Sequence, residues 1–233
     1  MDIRNLPEQE RSIYNRIREK YTLTFDKLKV GKKTVRLLKA ADLEEILAGR
    51  DPFADVAEFP FWIRLWEAAM VLSYVLCSLP ERQGRALLEL GAGLGAPGLT
   101  AAAAGFDVTL SDFEEIVLDF QRVSSAASGL PGVRSIHFDW FSPPADLQLF
   151  DVIAGAEILY RKDFLQPILA ILKTFLKPDG VVYLAHDVRR KCLPQFLEIA
   201  KEDFDIAAGK QIMQTARGEV AIIVNCLKRK NRS

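Results

Sequence analysis

Glu89-Leu90-Gly91-Ala92-Gly93-Leu94-Gly95-Ala96-Pro97-Gly98 is the stretch of sequence that decides the fold. It begins within the short apolar run 86–90, which stops at a glycine and therefore predicts a buried parallel strand. The small residues over 95–104 predict a helix that ends at Gly105. Doubly wound α/β folds bind ligands at such a strand-to-helix turn, where glycine lets the backbone bend tightly and approach a ligand.

The rest of the chain repeats this alternation of strand and helix. Further strands are predicted at 107–110, 133–138, 150–155, 181–185, 204–207 and 220–227, and further helices at 66–79, 113–125, 164–176 and 193–200. Strands that alternate with helices indicate a mostly parallel sheet covered on both faces. The last two strands have no helix between them, which indicates an antiparallel hairpin. We therefore predict an α/β fold, a doubly wound, mostly parallel sheet of seven strands.

Residues 1–58 have a different pattern and predict an N-terminal extension. It contains a helix over 7–20 and a β-hairpin around the turn Val30-Gly31-Lys32-Lys33. A short helix follows, with a capping box formed by Asp42 and Glu45. The chain becomes richly apolar from Phe59 onward. We therefore divide it into the extension, 1–58, and a ligand-binding domain, 59–233.

Charge and cysteine content argue against several classes of function. The 233 residues include 31 Lys and Arg against 31 Asp and Glu, whereas nucleic-acid binders carry a basic excess. The three separated cysteines and two histidines offer neither a zinc spacing nor a disulfide framework, so we expect no metal site and a reducing compartment. We see no apolar leader and no apolar run of about 18 residues. We expect a cytoplasmic protein without a membrane span or a nucleic-acid partner, and leave its oligomeric state open.

The glycine loop by itself leaves two cofactors open. Gly91, Gly93 and Ala96 satisfy the pattern G-x-G-x-x-G/A, which is the fingerprint of dinucleotide binding. Asp112 ends the next strand 21 residues after Gly91, close to the spacing of an acid that binds a ribose. Both features also suit S-adenosylmethionine, because it too contains adenosine. A tight turn that binds no ligand is the third possibility.

Glu89 favours S-adenosylmethionine over a dinucleotide. An acid two residues before the first glycine would repel a pyrophosphate, since like charges oppose each other. The methionyl part of S-adenosylmethionine carries an ammonium and a sulfonium, which a nearby carboxylate attracts. We predict S-adenosylmethionine as the cofactor and keep a nicotinamide-dependent oxidoreductase as the alternative.

At this point the sequence resembles a known family. Glu-Leu-Gly-Ala-Gly with an acid ending the next strand resembles the class I, seven-stranded methyltransferases. Three further segments narrow the resemblance to methyltransferase family 16, protein-lysine methyltransferases marked by an acid-x-x-Tyr motif. These segments are Phe61-Trp62-Ile63-Arg64-Leu65-Trp66, Asp139-Trp140 and Glu157-Ile158-Leu159-Tyr160. The resemblance covers residues 59–227, and Glu157 departs from it because Asp is commoner there.

The resemblance implies a role for each of these residues. Asp112 would bind the ribose hydroxyls, Asp139 and Trp140 would border the adenine, and Trp66 would close over the cofactor. Glu157 and Tyr160 would face the methyl acceptor as the catalytic pair. With Glu89, the cofactor-binding residues are then Trp66, Glu89, Gly91, Ala92, Gly93, Asp112, Asp139, Trp140 and Ala156.

The reaction implied by the resemblance is methyl transfer to a protein lysine. A lysine with a reference pKa of about 10.4 must first lose a proton, and an aromatic channel favours the neutral amine by desolvation. Glu157 would attract and orient the incoming ammonium, and Tyr160 would wall the channel. The sequence leaves two alternatives open, a small-molecule methyltransferase with the same cofactor and a non-catalytic partner protein of the same fold.

Overall fold

The structure is a computed structural model that describes residues 2–42, 64–215 and 218–230. The short helix predicted after Asp42, the domain boundary before Phe59 and the segment Phe61-Trp62-Ile63 lie outside these ranges. The described strands are β1 (Leu23–Val30), β2 (Lys33–Ala40), β3 (Ala86–Leu90), β4 (Asp107–Asp112), β5 (Arg134–His137), β6 (Phe150–Ala156), β7 (Leu176–Asp187), β8 (Phe204–Thr215) and β9 (Gly218–Arg229). The described α-helices are α1 (Glu8–Ile17), α2 (Glu67–Ser78), α3 (Ala96–Ala104), α4 (Glu115–Ala127), α5 (Leu165–Phe175) and α6 (Cys192–Ala200).

Seven strands form the central sheet in the order β5-β4-β3-β6-β7-β9-β8. The first five strands of this order run parallel to one another, and β9 runs antiparallel to both of its neighbours. Along β3, Leu87 belongs to one core cluster and Leu88 to another, because neighbouring side chains point to opposite faces of a strand. The doubly wound, mostly parallel seven-stranded fold predicted from the sequence is therefore confirmed.

Helices cover both faces of this sheet. One core cluster includes Ile168 of α5 and Phe196 of α6, and the other includes Leu72 of α2 and Leu99 of α3. The described helices include none that is long and apolar enough to cross a membrane.

The N-terminal extension packs against the same domain. β1 and β2 form the predicted hairpin around Gly31, whose φ of +58° is a left-handed conformation that glycine adopts without strain. The amide of Leu38 donates a hydrogen bond of 2.8 Å to the hydroxyl of Ser124 on α4. A third buried cluster joins both parts of the chain, and its members are Leu6, Ile13, Ile17, Leu38, Leu94, Phe120, Val123 and Ala127.

Two element boundaries differ from the prediction by five residues or more. The closing hairpin is longer than predicted, because β8 continues to Thr215 through the mostly exposed residues 208–215, which lack the apolar alternation of a buried strand. β7 begins at Leu176 rather than at Val181, and Pro178-Asp179-Gly180 lies within it, where the pairing with β6 is irregular.

Candidate functional site

A cavity of about 740 Å³ opens at the carboxyl ends of β3, β4 and β6. Its volume lies in the range of pockets that enclose a cofactor or a small ligand. Every residue predicted for the site lines it: Trp66, Glu89, Gly91, Ala92, Gly93, Asp112, Asp139, Trp140, Ala156, Glu157 and Tyr160. The structure therefore brings together the complete set of residues proposed from the sequence.

The glycine loop forms the floor of the cavity. Gly91 and Gly93 have φ angles of +57° and +52°, both in the left-handed region. A Cβ atom added to Gly91 would lie 3.0 Å from Cγ2 of Ile158 and 3.2 Å from Cζ2 of Trp140. Gly91 is thus required both for its conformation and because Ile158 and Trp140 occupy the space that a Cβ atom would need.

Asp112 is held in a fixed orientation beside this loop. Its Oδ2 accepts a hydrogen bond of 2.8 Å from the amide of Gly93, and its Oδ1 accepts one of 2.9 Å from the amide of Phe113. Burial raises the pKa of Asp112, although the three backbone amides that donate to the carboxylate oppose this effect. The carboxylate keeps lone-pair directions for further donors, as the ribose hydroxyls of the predicted cofactor would be.

Glu89 lies beneath the loop and is 2% exposed. Its Oε2 accepts a hydrogen bond of 2.7 Å from the amide of Gly98, in the first turn of α3. Burial raises the pKa of Glu89 from 4.5 to about 8, and the negative charge of Asp112 adds to the increase. Because this acid lines the cavity, a cation bound there would favour its ionised form.

Aromatic side chains form one wall of the cavity. The ring of Phe164 stands edge-on to Trp140 and to Tyr160, with centroid distances of 4.9 Å and 5.2 Å, and Phe141 lies 5.8 Å away. Burial raises the pKa of Tyr160 to about 12, so its hydroxyl stays protonated at neutral pH. Tyr160 can therefore act as a wall or a hydrogen-bonding group, but not as a general base at that pH.

Two further predicted residues occupy turns at the cavity rim. Trp66 is the N-cap residue of α2, and the guanidinium of Arg64 lies 4.8 Å from its ring centroid. Asp139 follows β5, and its Oδ1 accepts a hydrogen bond of 2.9 Å from the amide of Phe141. This bond stabilises the turn that presents Trp140 to the cavity.

Glu157 lines the cavity, but its carboxylate is already engaged. Its Oε1 accepts a hydrogen bond of 2.5 Å from the amide of Asp187, and its Oε2 forms an ion pair with Nε of Arg190. Burial raises the pKa of Glu157, and the adjacent charge of Arg190 opposes that increase. An incoming ammonium would thus meet a carboxylate whose charge is largely balanced by a neighbouring cation.

Sequence analysis missed several residues of the site. Phe164 was placed at the start of a predicted helix and was not assigned to the site, although it is central to the aromatic wall. Tyr21, which lines the cavity from the extension, was missed because no pattern links it to the loop. Arg190 had a usable signal, since it closely follows Asp187, the last residue of a strand that ends at the ligand-binding edge.

Comparisons with known proteins point to one family. Residues 61–203 match the model of a family described as lysine methyltransferase. The chain is 32% identical over 161 residues to EEF1A lysine methyltransferase 3 of Mus musculus, covering 61% of this chain and 68% of that protein. It is 33% identical over 136 residues to Histone-arginine methyltransferase METTL23 of the same species, covering 54% of this chain and 53% of that protein.

The fold is shared with solved structures. A TehB-like SAM-dependent methyltransferase from Corynebacterium glutamicum matches with a TM-score of 0.54 and 20% identity. The match covers 82% of this chain and 96% of that one. At this identity the likeness concerns the fold alone.

Proposed function

The chain belongs to the lysine methyltransferase family, and from that premise we propose that it methylates lysine side chains of a protein. Membership makes it an S-adenosylmethionine-dependent methyltransferase, which decides between the two cofactors that the glycine loop left open. The nicotinamide-dependent alternative is therefore wrong. The identity of the acceptor is the part of the function that remains a proposal.

The residues around the glycine loop suit the cofactor. Gly91 and Gly93 line the cavity beside Asp112, whose fixed carboxylate would accept a hydrogen bond from a ribose hydroxyl. We assign Trp140 and Asp139, which line the same cavity, to the border of the adenine. When bound, S-adenosylmethionine supplies a methyl group on a sulfonium, which a nucleophile can attack.

One observation carries the proposal of a lysine acceptor, namely the aromatic wall beside the glycine loop. The wall consists of Tyr160, Phe164 and Trp140, which pack edge to face and line the same cavity as the glycine loop. Such a wall excludes water, and desolvation lowers the pKa of an entering lysine and so favours the neutral, nucleophilic amine. The wall would also hold the amine in line with the methyl group, which is the main contribution that positioning makes to a displacement.

The same geometry favours lysine over arginine. A guanidinium stays protonated in proteins and is bound best by a carboxylate that offers both oxygens. Both oxygens of Glu157 are taken by the Asp187 amide and by Arg190. Since one relative is named a histone-arginine methyltransferase, arginine is the second acceptor that the experiment must distinguish.

The cellular site of action follows from the cysteines. Cys77, Cys192 and Cys226 are all free thiols, which suits a reducing compartment. We therefore propose that the protein acts in the cytoplasm.

The proposal is tested by incubating the purified protein with methyl-labelled S-adenosylmethionine and a heat-inactivated protein lysate. Mass spectrometry should find the label on lysine side chains, and Asp112→Ala should give only the background of an enzyme that binds its cofactor poorly. Label found on arginine, or only in the small-molecule fraction, would contradict the proposal and identify the alternative acceptor.

A further inference from the structure

Three hydrogen bonds hold the loop that carries the acid-x-x-Tyr motif, residues 157–160, against the end of β7. The amide of Glu157 donates to the carbonyl of Ala185 at 2.9 Å, and the amide of Asp187 donates to Oε1 of Glu157 at 2.5 Å. The amide of Leu159 donates to Nε2 of the fully buried His186 at 3.2 Å. The loop is thus tied to β7 through both its backbone and its acidic side chain.

A buried ion pair between Glu157 and Arg190 adds a fourth contact that holds this loop. The side chains of Arg190 and Glu157 are 4% and 5% exposed, and Nε of Arg190 contacts Oε2 of Glu157. Lys201 also pairs with an acid, Glu198, but both of these side chains are exposed, at 58% and 69%. Removing one partner of a buried pair leaves an uncompensated charge, whereas an exposed pair contributes little. Lys201 is therefore a control for Arg190.

Glu157 needs such support because its backbone is strained. Its φ of +59° lies in the left-handed region, which non-glycine residues rarely adopt. A strained residue persists only where its surroundings hold it, and such residues concentrate at functional sites. Here the carboxylate, bonded on both oxygens, supplies part of that hold.

The fastened loop lies between the two halves of the cavity. Cγ2 of Ile158 would be 3.0 Å from a Cβ atom added to Gly91, so Ile158 packs directly against the glycine loop. Two residues later, the ring of Tyr160 stands edge-on to Phe164 in the aromatic wall. A shift of the loop would therefore move the aromatic wall relative to the methyl group of the bound cofactor.

We infer that Arg190 is a positioning residue for methyl transfer and that it acts through Glu157. The bonds of Glu157 hold Ile158 against the glycine loop and hold Tyr160 in the aromatic wall. The inference rests on the proposed function, because methyl transfer is the rate that the loop controls. It gives Glu157 a task beyond facing the acceptor, since its carboxylate also fixes the loop. Neither Arg190 nor the anchoring residues of β7 belong to the motif that marks the family.

The experiment compares Arg190→Met with Lys201→Met in the full-length protein. We expect Arg190→Met to slow the labelling of lysate lysines about 100-fold, as displacement of a positioned group does. Its affinity for S-adenosylmethionine should fall by less than about tenfold, because Asp112 keeps its bond to the glycine loop and only the contact of Ile158 with that loop shifts. Lys201→Met should label as fast as the wild type. Amide hydrogen exchange over residues 157–160 should rise in Arg190→Met and not in Lys201→Met.

Two further variants separate positioning from general damage. Arg190→Lys keeps the positive charge but lacks the planar guanidinium. We expect it to transfer methyl groups about tenfold faster than Arg190→Met. The double variant Glu157→Gln with Arg190→Met leaves no buried charge unpaired. Its rate of methyl transfer should lie within about threefold of the rate of the slower single variant, because the effects of residues that act as one unit do not add.

Wild-type rates in folded Arg190→Met, or in the double variant if the single one does not fold, would overturn the inference. Fully additive losses in Glu157→Gln and Arg190→Met would overturn it as well. If the wild type labels no lysine, the proposed function fails, whereas hydrogen exchange still decides whether Arg190 holds the loop. Unchanged exchange over residues 157–160 would then refute that role.

Discussion

Replacing Glu89 by glutamine should stabilise the fold and weaken cofactor binding, and the gain in stability should grow with pH. Glu89 is a buried acid whose pKa is raised by burial from 4.5 to about 8 in the folded protein. Glutamine has the same size, carries no charge, and offers an amide oxygen to the Gly98 amide that now donates to Oε2. The substitution therefore removes the titration and keeps the hydrogen bond.

The magnitude follows from the difference in pKa between the two states. From pH 4.5 to about pH 8 the unfolded chain has released the proton of Glu89 while the folded protein still binds it. Stability of the wild type therefore falls as pH rises through this window, by about 1.4 kcal/mol per pH unit. Between about pH 5 and pH 8, Glu89→Gln should gain about 3.5 kcal/mol relative to the wild type, which is an upper bound.

Urea unfolding at several pH values measures this gain directly. Calorimetric titration with S-adenosylmethionine should show the opposite effect, a loss of affinity of about tenfold, because the cationic cofactor loses a charged partner. Stability differences that stay constant with pH would refute the raised pKa. A gain in stability with unchanged cofactor affinity would show that Glu89 does not interact with the cofactor.

Substitutions at Asp112, Gly91 and Tyr160 test the remaining parts of the site. Asp112→Ala should weaken S-adenosylmethionine binding about 10- to 100-fold in calorimetric titration, because the ribose hydroxyls lose a charged acceptor, and an unchanged dissociation constant would contradict that role. Gly91→Ala should cost about 1–2 kcal/mol in urea unfolding and weaken the cofactor, because its φ is +57° and a Cβ atom would crowd Ile158. Gly129→Ala, with a φ of +69° and open space, should show the strain alone, so equal losses of affinity in both variants would rule out a close approach at Gly91. Tyr160→Phe should retain most methyl transfer in the labelling assay and Tyr160→Ala should lose it, because the ring forms the wall; loss in both would show that the hydroxyl is required.

The sequence predicted the parts of the fold that depend on local signals. The run 86–90 is apolar and stops at a glycine, so strand, loop and helix could be placed from sequence alone. The length of β8 could not, because residues 208–211, Ala-Gly-Lys-Gln, have little strand preference of their own. They are held in the strand by pairing with β9, which is a tertiary effect.

The candidate site divides in a similar way. Glu89, Asp112 and Tyr160 were predicted because each stands at or just after the end of a strand in a recognisable motif, and all line the cavity. The engagement of Glu157 could not be predicted, because its partner Arg190 comes from an element 33 residues away. Phe164 was missed for a related reason, since an aromatic residue near a helix start carries no sign of what it contacts.

The buried cluster that joins the extension to the domain limits how the protein can be shortened. Leu94 of the glycine loop packs in that cluster with Ile13 and Leu38, and it also lines the cavity. A version trimmed of residues 2–42 would expose these contacts to water and leave the cofactor loop without its backing. We therefore expect removal of the first forty residues to destabilise the glycine loop, because they supply part of the buried cluster that holds Leu94.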